Sequence, residues 1–338
     1  MVDSVTLLVF TSIGVIGFYV ARYLWERFEI EDFAKKAVFI TGCDSGFGRL
    51  LALKCAANGF SVFAGCLTKE GEESLREESN GRVVTIPLDV TNDDSVKKAV
   101  ATVEKCLRDG VDFWALVNNA GVFTCYGPDD WCSINDYKFS YDVNTLGHIR
   151  TTQACKPFLK RSKGRIITVT SVSGRMSSPC AGPYSAAKYA AEAYMDTIRQ
   201  ELRPFGITCC ILEPGSFKTN LLDQKAMENR VDSVWDRLSE QQKAEYGSAY
   251  KNNFVKKWNN LLDTFGTIRT DYVVDSYYHA ITARYPRLRY RCGYDALFMY
   301  TPLFFLPTEI GDFFLWLITR FSFYPPPPGS QKNFAKNN

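Results

Sequence analysis

From Ala37 onward, short unbroken apolar runs alternate with helix-length segments, and this alternation constrains the fold more than any other feature of the chain. The runs "AVFIT", "SVFAGC", "VVTIPLDV", "WALVNN", "RIITVTS" and "ITCCILEP" each read as a buried strand. The stretches near residues 46–59, 92–108, 133–161 and 182–203 read as helices between them. A strand that is apolar at successive positions is covered on both faces, as in a parallel sheet with helices on either side. The expected fold class is α/β: one doubly wound parallel sheet in a single domain spanning residues 36–295. Right-handed crossovers then gather the strand C-termini on one edge, where ligands bind. A hydrophobic content of 46% is ample for such a core.

The first strand breaks into glycines in "VFITGCDSGFGRLLAL", with Gly42 at its end and Gly46 and Gly48 where the next helix starts. A helix N-terminus offers unpaired N–H groups and a partial positive charge, which suit a pyrophosphate. Glycine there lets the backbone approach phosphate and lets helix pack close to strand. The sheet is therefore expected to be Rossmann-type. Asp89 closes the third strand, "NNAG" (Asn118, Asn119, Ala120, Gly121) closes the fourth, and Pro214-Gly215 closes the sixth, all on the edge that receives a dinucleotide. Asp89 could instead cap a helix and Asn118 clamp backbone.

Only two histidines occur, His148 and His279, which nearly excludes histidine-based metal sites and Ser-His-Asp catalysis. No metal is expected. Eleven cysteines without C-x-x-C pairs read as reduced, mostly buried small hydrophobes. A formal charge of +3 gives no sign of a nucleic-acid surface. Acid–base chemistry must use other groups. "PYSAAKY" puts Tyr184 and Lys188 one helical turn apart on one face. A phenol titrates near about 10 and is a poor base at neutral pH, but a neighbouring ammonium favours the phenolate. Ser171 ends the fifth strand thirteen positions earlier, where its hydroxyl could hold a reacting oxygen against the tyrosine. Asn144 stands mid-helix, where asparagine is mildly unfavourable, and suggests a compensating role such as holding a water near Lys188.

TGCDSGFG, NNAG, Asn144, Ser171, YSAAK and PG, all in order over about residues 36–300, resemble the short-chain dehydrogenase/reductase family. "VFAGCLT", "LEPGSFKTN" and "HAITARYPRLRY" resemble its membrane-associated retinol and hydroxysteroid dehydrogenase branch, which also includes a hydroxybutyrate dehydrogenase. The resemblance implies an NAD(P)-dependent oxidoreductase acting on CH–OH groups. Tyr184 would be the acid/base, Lys188 would lower its pKa and bind the nicotinamide ribose, Ser171 would orient the substrate oxygen, and Asn144 would complete the set through water. Thr41, Gly42, Ser45, Gly46, Phe47 and Gly48 would form the pyrophosphate loop. Asp89 and Val90 would meet the adenine, Asn119 the adenosine ribose, and Thr219 the carboxamide. Cys66, Asn118, Ala120, Gly121, Pro214 and Gly215 would complete the dinucleotide site.

An NAD-specific sheet usually ends its second strand in an acidic residue that binds the ribose 2′-hydroxyl. Cys66 stands there instead, with Lys69 near enough to meet a 2′-phosphate and Asp44 placed to repel one. NAD is the expected cofactor, with NADP left open. Residues 215–266 would cover a hydrophobic substrate, a steroid, sterol or retinol, with Phe217, Leu221, Leu222, Trp235 and Trp258 as lining or as packing of the cover itself. A short hydroxy acid would need a cationic clamp, for which Lys218 and Lys225 stand in the cover. A noncatalytic lipid or sterol carrier would need no aligned Asn144–Ser171–Tyr184–Lys188 set.

Val5 to Ala21 carries no charge and is about long enough to reach across a bilayer core, so residues 1–27 are expected to be an uncleaved membrane anchor; a cleaved signal peptide, which would start with basic residues where Asp3 stands, and a soluble core helix are the alternatives. Arg22, Arg27, Lys35 and Lys36 favour a cytosolic catalytic domain, although Glu26, Glu29, Glu31 and Asp32 make the flank mixed. With the branch resemblance, the expected address is the endoplasmic reticulum membrane. The Phe- and Leu-rich segment 296–321 would lie in a membrane interface or pack on the domain. Residues 325–338 read as a disordered tail. A homo-oligomer is compatible with the sequence but not specified by it.

Overall fold

A computed structural model describes residues 4–322 and 326–330. Seven strands, β1 Lys36–Thr41, β2 Ser61–Cys66, β3 Val83–Pro87, β4 Asp112–Asn118, β5 Arg165–Val169, β6 Thr208–Pro214 and β7 Arg289–Cys292, form one sheet in the order β3-β2-β1-β4-β5-β6-β7. Every neighbouring pair is parallel. The order reverses between β1 and β4, which opens a crevice above their C-terminal ends.

The helices before the cover are α1 Ser4–Trp25, α2 Gly46–Ala57, α3 Lys69–Glu78, α4 Asp93–Cys106, α5 Ile134–Tyr141, α6 Gly147–Ser162 and α7 Gly182–Leu202. Those after β6 are α8 Gln224–Asp236, α9 Glu240–Tyr246, α10 Ser248–Phe265 and α11 Asp271–Thr282. Side chains alternate across a strand, so β1 serves two cores at once. Val38 and Ile40 meet Leu51 of α2 and Val273 and Tyr277 of α11 on one face. Ala37 and Phe39 join Val103 of α4, Leu159 of α6 and Ile198 of α7 on the other. A third apolar cluster caps the C-terminal edge, where Trp131 and Tyr184 meet Met227 and Val234 of α8 and Phe254 of α10.

All six expected strands form, and the expected doubly wound sheet with them. β7, α3 and α11 were not foreseen. The expected helix over 133–161 is divided by a π-helical turn, Asp142–Leu146, between α5 and α6. The expected cover over 215–266 holds three helices, α8 to α10. The expected tail over 325–338 falls largely outside the described residues; within it, Pro328–Ser330 forms a turn packed against α9.

Among the described residues no helix is long and apolar enough to cross a membrane. α1 leaves the domain with Phe10, Ile13 and Ile16 more than half exposed. Its C-terminal end is fastened to the domain. Arg287 Nε donates to Glu26 Oε1 at 2.7 Å, and His279 Nε2 donates to the Glu26 carbonyl at 3.0 Å while its Nδ1 accepts from Tyr290. Beyond β7, the helix Thr308–Ser322 exposes Ile310, Phe313, Phe314 and Trp316.

Candidate active site

The crevice edge is shaped first by backbone. Gly42 and Gly46 have φ of 70° and 62°, a left-handed region that side chains rarely adopt. A Cβ at Gly42 would lie 2.7 Å from Ala120 Cα, and one at Gly48 would lie 2.6 Å from the Gly42 carbonyl. Bare glycine is therefore needed for β1, the start of α2 and the NNAG turn to pack together. Ser45 is the N-cap of α2, yet its side chain accepts no capping hydrogen bond, which leaves the first amides of the helix for another acceptor.

Several residues expected to touch cofactor instead build this edge. Thr41 Oγ1 accepts from the amides of Asn119 and Ala120, both at 3.0 Å. Asn118 is fully buried: its Nδ2 donates to Thr152 (2.9 Å) and Thr168 (3.2 Å), and its Oδ1 accepts from Thr151 (2.7 Å). It clamps β4 to β5 and α6 and does not face the crevice. Asn119 does line the cavity, but its Nδ2 donates to the carbonyls of Thr41 and Gly42 and its Oδ1 accepts from Tyr277. Its amide is engaged, so an adenosine ribose would have to meet its backbone. Cys66 points into the core, fully buried, and burial pushes its thiol up to about 12.

The cavity along this edge has a volume of about 640 Å³. Gly42, Ser45, Gly46, Phe47, Asp89, Val90, Asn119, Ala120, Gly121, Pro214, Gly215 and Thr219 line it, as do Asn144, Ser171, Tyr184 and Lys188; Thr41, Gly48, Cys66 and Asn118 lie behind it. Asp89 makes a local turn, accepting from the Thr91 amide and hydroxyl at 2.9 and 2.7 Å, while Asn92 caps α4. Asp44 closes the end above β2: its carboxylate accepts from the amides of Leu67 (2.9 Å) and Thr68 (2.8 Å) and from the Thr68 hydroxyl. These open amides, close glycines and the carboxylate at the β2 end fit a dinucleotide lying along the crevice.

At the other end four polar side chains converge. Tyr184, on the first turns of α7, is buried under Phe123, whose ring stacks on it at 4.7 Å between centroids. The Ser171 hydroxyl acts on it in the direction that favours the phenolate, and donates to the Pro214 carbonyl at 3.4 Å. Ser171 Oγ in turn accepts from the Ser173 amide at 3.1 Å, which fixes it at the head of a short turn. Lys188 is 2% exposed; its Nζ donates to the Val169 carbonyl at 3.1 Å and sits 5.6 Å from the Tyr184 ring centroid. Asn144 lies in the π-helical turn and grips Val122 on both sides, its Oδ1 accepting from the amide (3.0 Å) and its Nδ2 donating to the carbonyl (2.9 Å). Such turns recur at functional sites. A Cβ on Gly121 would fall 3.1 Å from Asn144 Oδ1 and 3.7 Å from Lys188 Nζ, so these two flank one glycine.

The electrostatics differ from expectation. Burial pushes the Tyr184 phenol up to about 12, with the Ser171 hydrogen bond working against it, and burial pulls the Lys188 ammonium down to about 7, opposed by Glu192. Burial thus moves the phenol opposite to the direction expected for it. The burial that brings the pair together removes water from both charged forms, which disfavours each of them.

Three contributors were not foreseen. His148 Nε2 donates to the Ala120 carbonyl at 2.9 Å, and burial, then Lys188, pull its pKa down to about 3, so it is a neutral prop. Tyr277 from α11 braces Asn119. Asp295, beyond β7, accepts from the Ser216 amide at 2.6 Å and holds the loop after β6. No local pattern marks any of them, because each acts only through the tertiary fold. In the cover, Phe217, Leu221, Leu222 and Trp258 line the cavity. Trp235 instead packs on Trp131, 5.3 Å away.

Residues 36–230 match the family model described as short chain dehydrogenase. The chain is 45% identical over 307 residues (89% of this chain, 79% of the relative) to a Caenorhabditis elegans protein named 3beta-hydroxysteroid dehydrogenase dhs-16. It is 38% identical to 17-beta-hydroxysteroid dehydrogenase type 6 of Rattus norvegicus (92% and 98% covered) and 37% identical to Retinol dehydrogenase 7 of the same species (89% and 94%). Among solved structures, a short chain dehydrogenase/reductase from Burkholderia phymatum in complex with NAD shares the fold with a TM-score of 0.67, at 22% identity, covering 81% of this chain and 94% of that one. The glycine edge, the dinucleotide crevice and these likenesses agree: the chain belongs to the short-chain dehydrogenase family, in its retinol and hydroxysteroid dehydrogenase branch, and is a nicotinamide-dependent dehydrogenase.

Proposed function

We propose that the protein interconverts a hydroxyl and a carbonyl on a large hydrophobic alcohol of the steroid, sterol or retinoid class, with Tyr184 as the proton donor and acceptor. The observation that carries this reading is the convergence of Tyr184, Ser171 and Lys188 on one cavity that Phe123, Tyr126, Leu222 and Trp258 also wall. The nicotinamide supplies the hydride acceptor or donor. Ser171 holds the substrate oxygen; Tyr184 as the phenol gives its proton to a carbonyl oxygen, and as the phenolate takes one from an alcohol. Lys188 holds the nicotinamide ribose, and Asn144 keeps the loop after β4 in place and holds a water beside Lys188. Residues 215–266 act as the cover.

NAD is the preferred cofactor in this reading. The Asp44 carboxylate, tied to Leu67 and Thr68, stands at the end of β2 where a 2′-phosphate would bring a second negative charge. The two lysines that a short hydroxy acid would need as a clamp do not supply one: Lys218 pairs with Asp263 at 2.9 Å, and Lys225 does not line the cavity.

Membrane attachment is also proposed. Exposed apolar side chains on α1 and on the helix Thr308–Ser322 support it, and substrates of this class partition into bilayers. Full-length protein should float with phospholipid vesicles, and a variant lacking residues 1–27 should float less; equal flotation removes α1 from the attachment.

The test of function is a panel of hydroxysteroids, retinol and hydroxybutyrate, each with NAD and NADP, followed by nicotinamide absorbance. Turnover of a steroid or retinol with NAD is expected. Preference for hydroxybutyrate would refute the hydrophobic-substrate reading.

A further inference from the structure

Arg230 is the cationic side chain that the cover brings to the cavity. It lies on α8, the helix that buries Met227 and Val231 in the apolar cap. Its Nη1 donates to the Leu221 carbonyl at 2.7 Å and touches Met227 Sδ at 2.9 Å. Four other cations of the cover are paired: Lys218 with Asp263, Arg237 with Asp136, Lys243 with Glu240 and Lys251 with Asp232. Among the described residues Arg230 has no carboxylate partner. Burial lowers its pKa, opposed by Asp223, whose carboxylate accepts from the Ala226 amide and makes no ion pair with Arg230. The acids that line the cavity, Asp44 and Asp89, accept from backbone amides at the dinucleotide end.

A guanidinium carries five N–H donors in a planar fork. Here one nitrogen bonds a carbonyl and a thioether, and none of its nitrogens is sealed off inside the protein without a partner. A guanidinium drawn partly out of water at the wall of this cavity gains from an anion that meets it there. Its geometry favours a bidentate carboxylate.

We propose that the substrate is a hydrophobic acid, an apolar ring body bearing a carboxylate on the part that lies under the cover, and that Arg230 receives this carboxylate. This rests on the hydrophobic-alcohol reading and narrows it. Arg230 is a specificity-determining residue, separate from the proton-transfer groups.

The test is direct binding, so that it stands whether or not the chosen probe turns over. A hydroxysteroid with a side-chain carboxylate and its methyl ester are titrated into NADH-loaded enzyme, with tryptophan fluorescence as the readout. Wild type should bind the acid roughly 10-fold or more tighter than the ester. Arg230→Gln should weaken the acid by about 10- to 100-fold and leave the ester within about 3-fold, and Arg230→Lys should recover part of the loss. NADH affinity, titrated separately, should be unchanged in both variants. Equal loss for acid and ester, no preference in wild type, or no binding of either would overturn the proposal. A weakened NADH affinity would reassign the anion to a cofactor phosphate and overturn it as well. Absence of turnover with tight, Arg230-dependent binding of the acid would instead count against the proposed reaction alone.

Discussion

Replacing Lys188 with methionine should abolish turnover and stabilise the fold. Lys188 is 2% exposed, and burial pulls its ammonium down from 10.5 to about 7. Each tenfold change in proton affinity is worth about 1.4 kcal/mol, so keeping this lysine in the fold costs roughly 4 kcal/mol at pH 7. Methionine has a similar reach and no charge. It leaves the Val169 carbonyl, which now accepts from Nζ at 3.1 Å, without that donor, a loss of about 1 kcal/mol. Lys188→Met should therefore gain roughly 2–4 kcal/mol near neutrality.

The sign of the pH dependence follows from the same shift. Between about 7 and 10.5 the unfolded chain holds a lysine proton that the folded chain has released. Wild-type stability thus rises with pH through that window, while below it the full cost persists. The variant lacks this rise, so its advantage is largest at and below neutrality and shrinks as pH climbs. Guanidinium unfolding of both cofactor-free proteins at several pH values measures the gap. A gap of zero, or one that widens with pH, would refute the argument.

The other predictions concern neighbouring parts of the site. Thr41→Val leaves the amides of Asn119 and Ala120 without their acceptor and should cost about 2–4 kcal/mol in denaturant unfolding; a change under about 0.5 kcal/mol would show that they find another partner. Asp44→Ala should shift the ratio of NADPH to NADH affinity toward NADPH by about 10-fold in fluorescence titrations, and an unchanged ratio would remove Asp44 from cofactor choice. Because Tyr184 is pushed up to about 12, kcat/KM for carbonyl reduction should hold level from acid through neutral pH, and that for alcohol oxidation should climb across the alkaline range. An oxidation profile that levels off near neutrality would contradict that assignment.

Much of this architecture was legible in the sequence because the central strands are apolar on both faces, a pattern that survives without tertiary information. β7 escaped because a four-residue edge strand, "RYRC", alternates and carries two arginines. α3 escaped because "KEGEESLREE" buries only Gly71 and Leu75. The converging residues Asn144, Ser171, Tyr184 and Lys188 were visible as spacings on a strand end and a helix face. What spacing could not reveal is which hydrogen-bonding capacity is already taken. Asn118 and Asn119 look alike in "NNAG", yet one is an internal clamp and the other lines the crevice with its amide engaged. Nor could it show how deeply the pair is buried, which raises the Tyr184 phenol and lowers the Lys188 ammonium. Arg230 was invisible as a site residue because its distinction is the missing carboxylate, a property of three dimensions.

The most direct measurement is the rate of steroid or retinol turnover by Tyr184→Phe with NAD at saturating cofactor. The substitution removes one hydroxyl from a ring still held by Phe123. The account predicts a fall of roughly 10²- to 10⁴-fold with NADH affinity retained. A rate within about 3-fold of wild type would place the proton transfer elsewhere and contradict it.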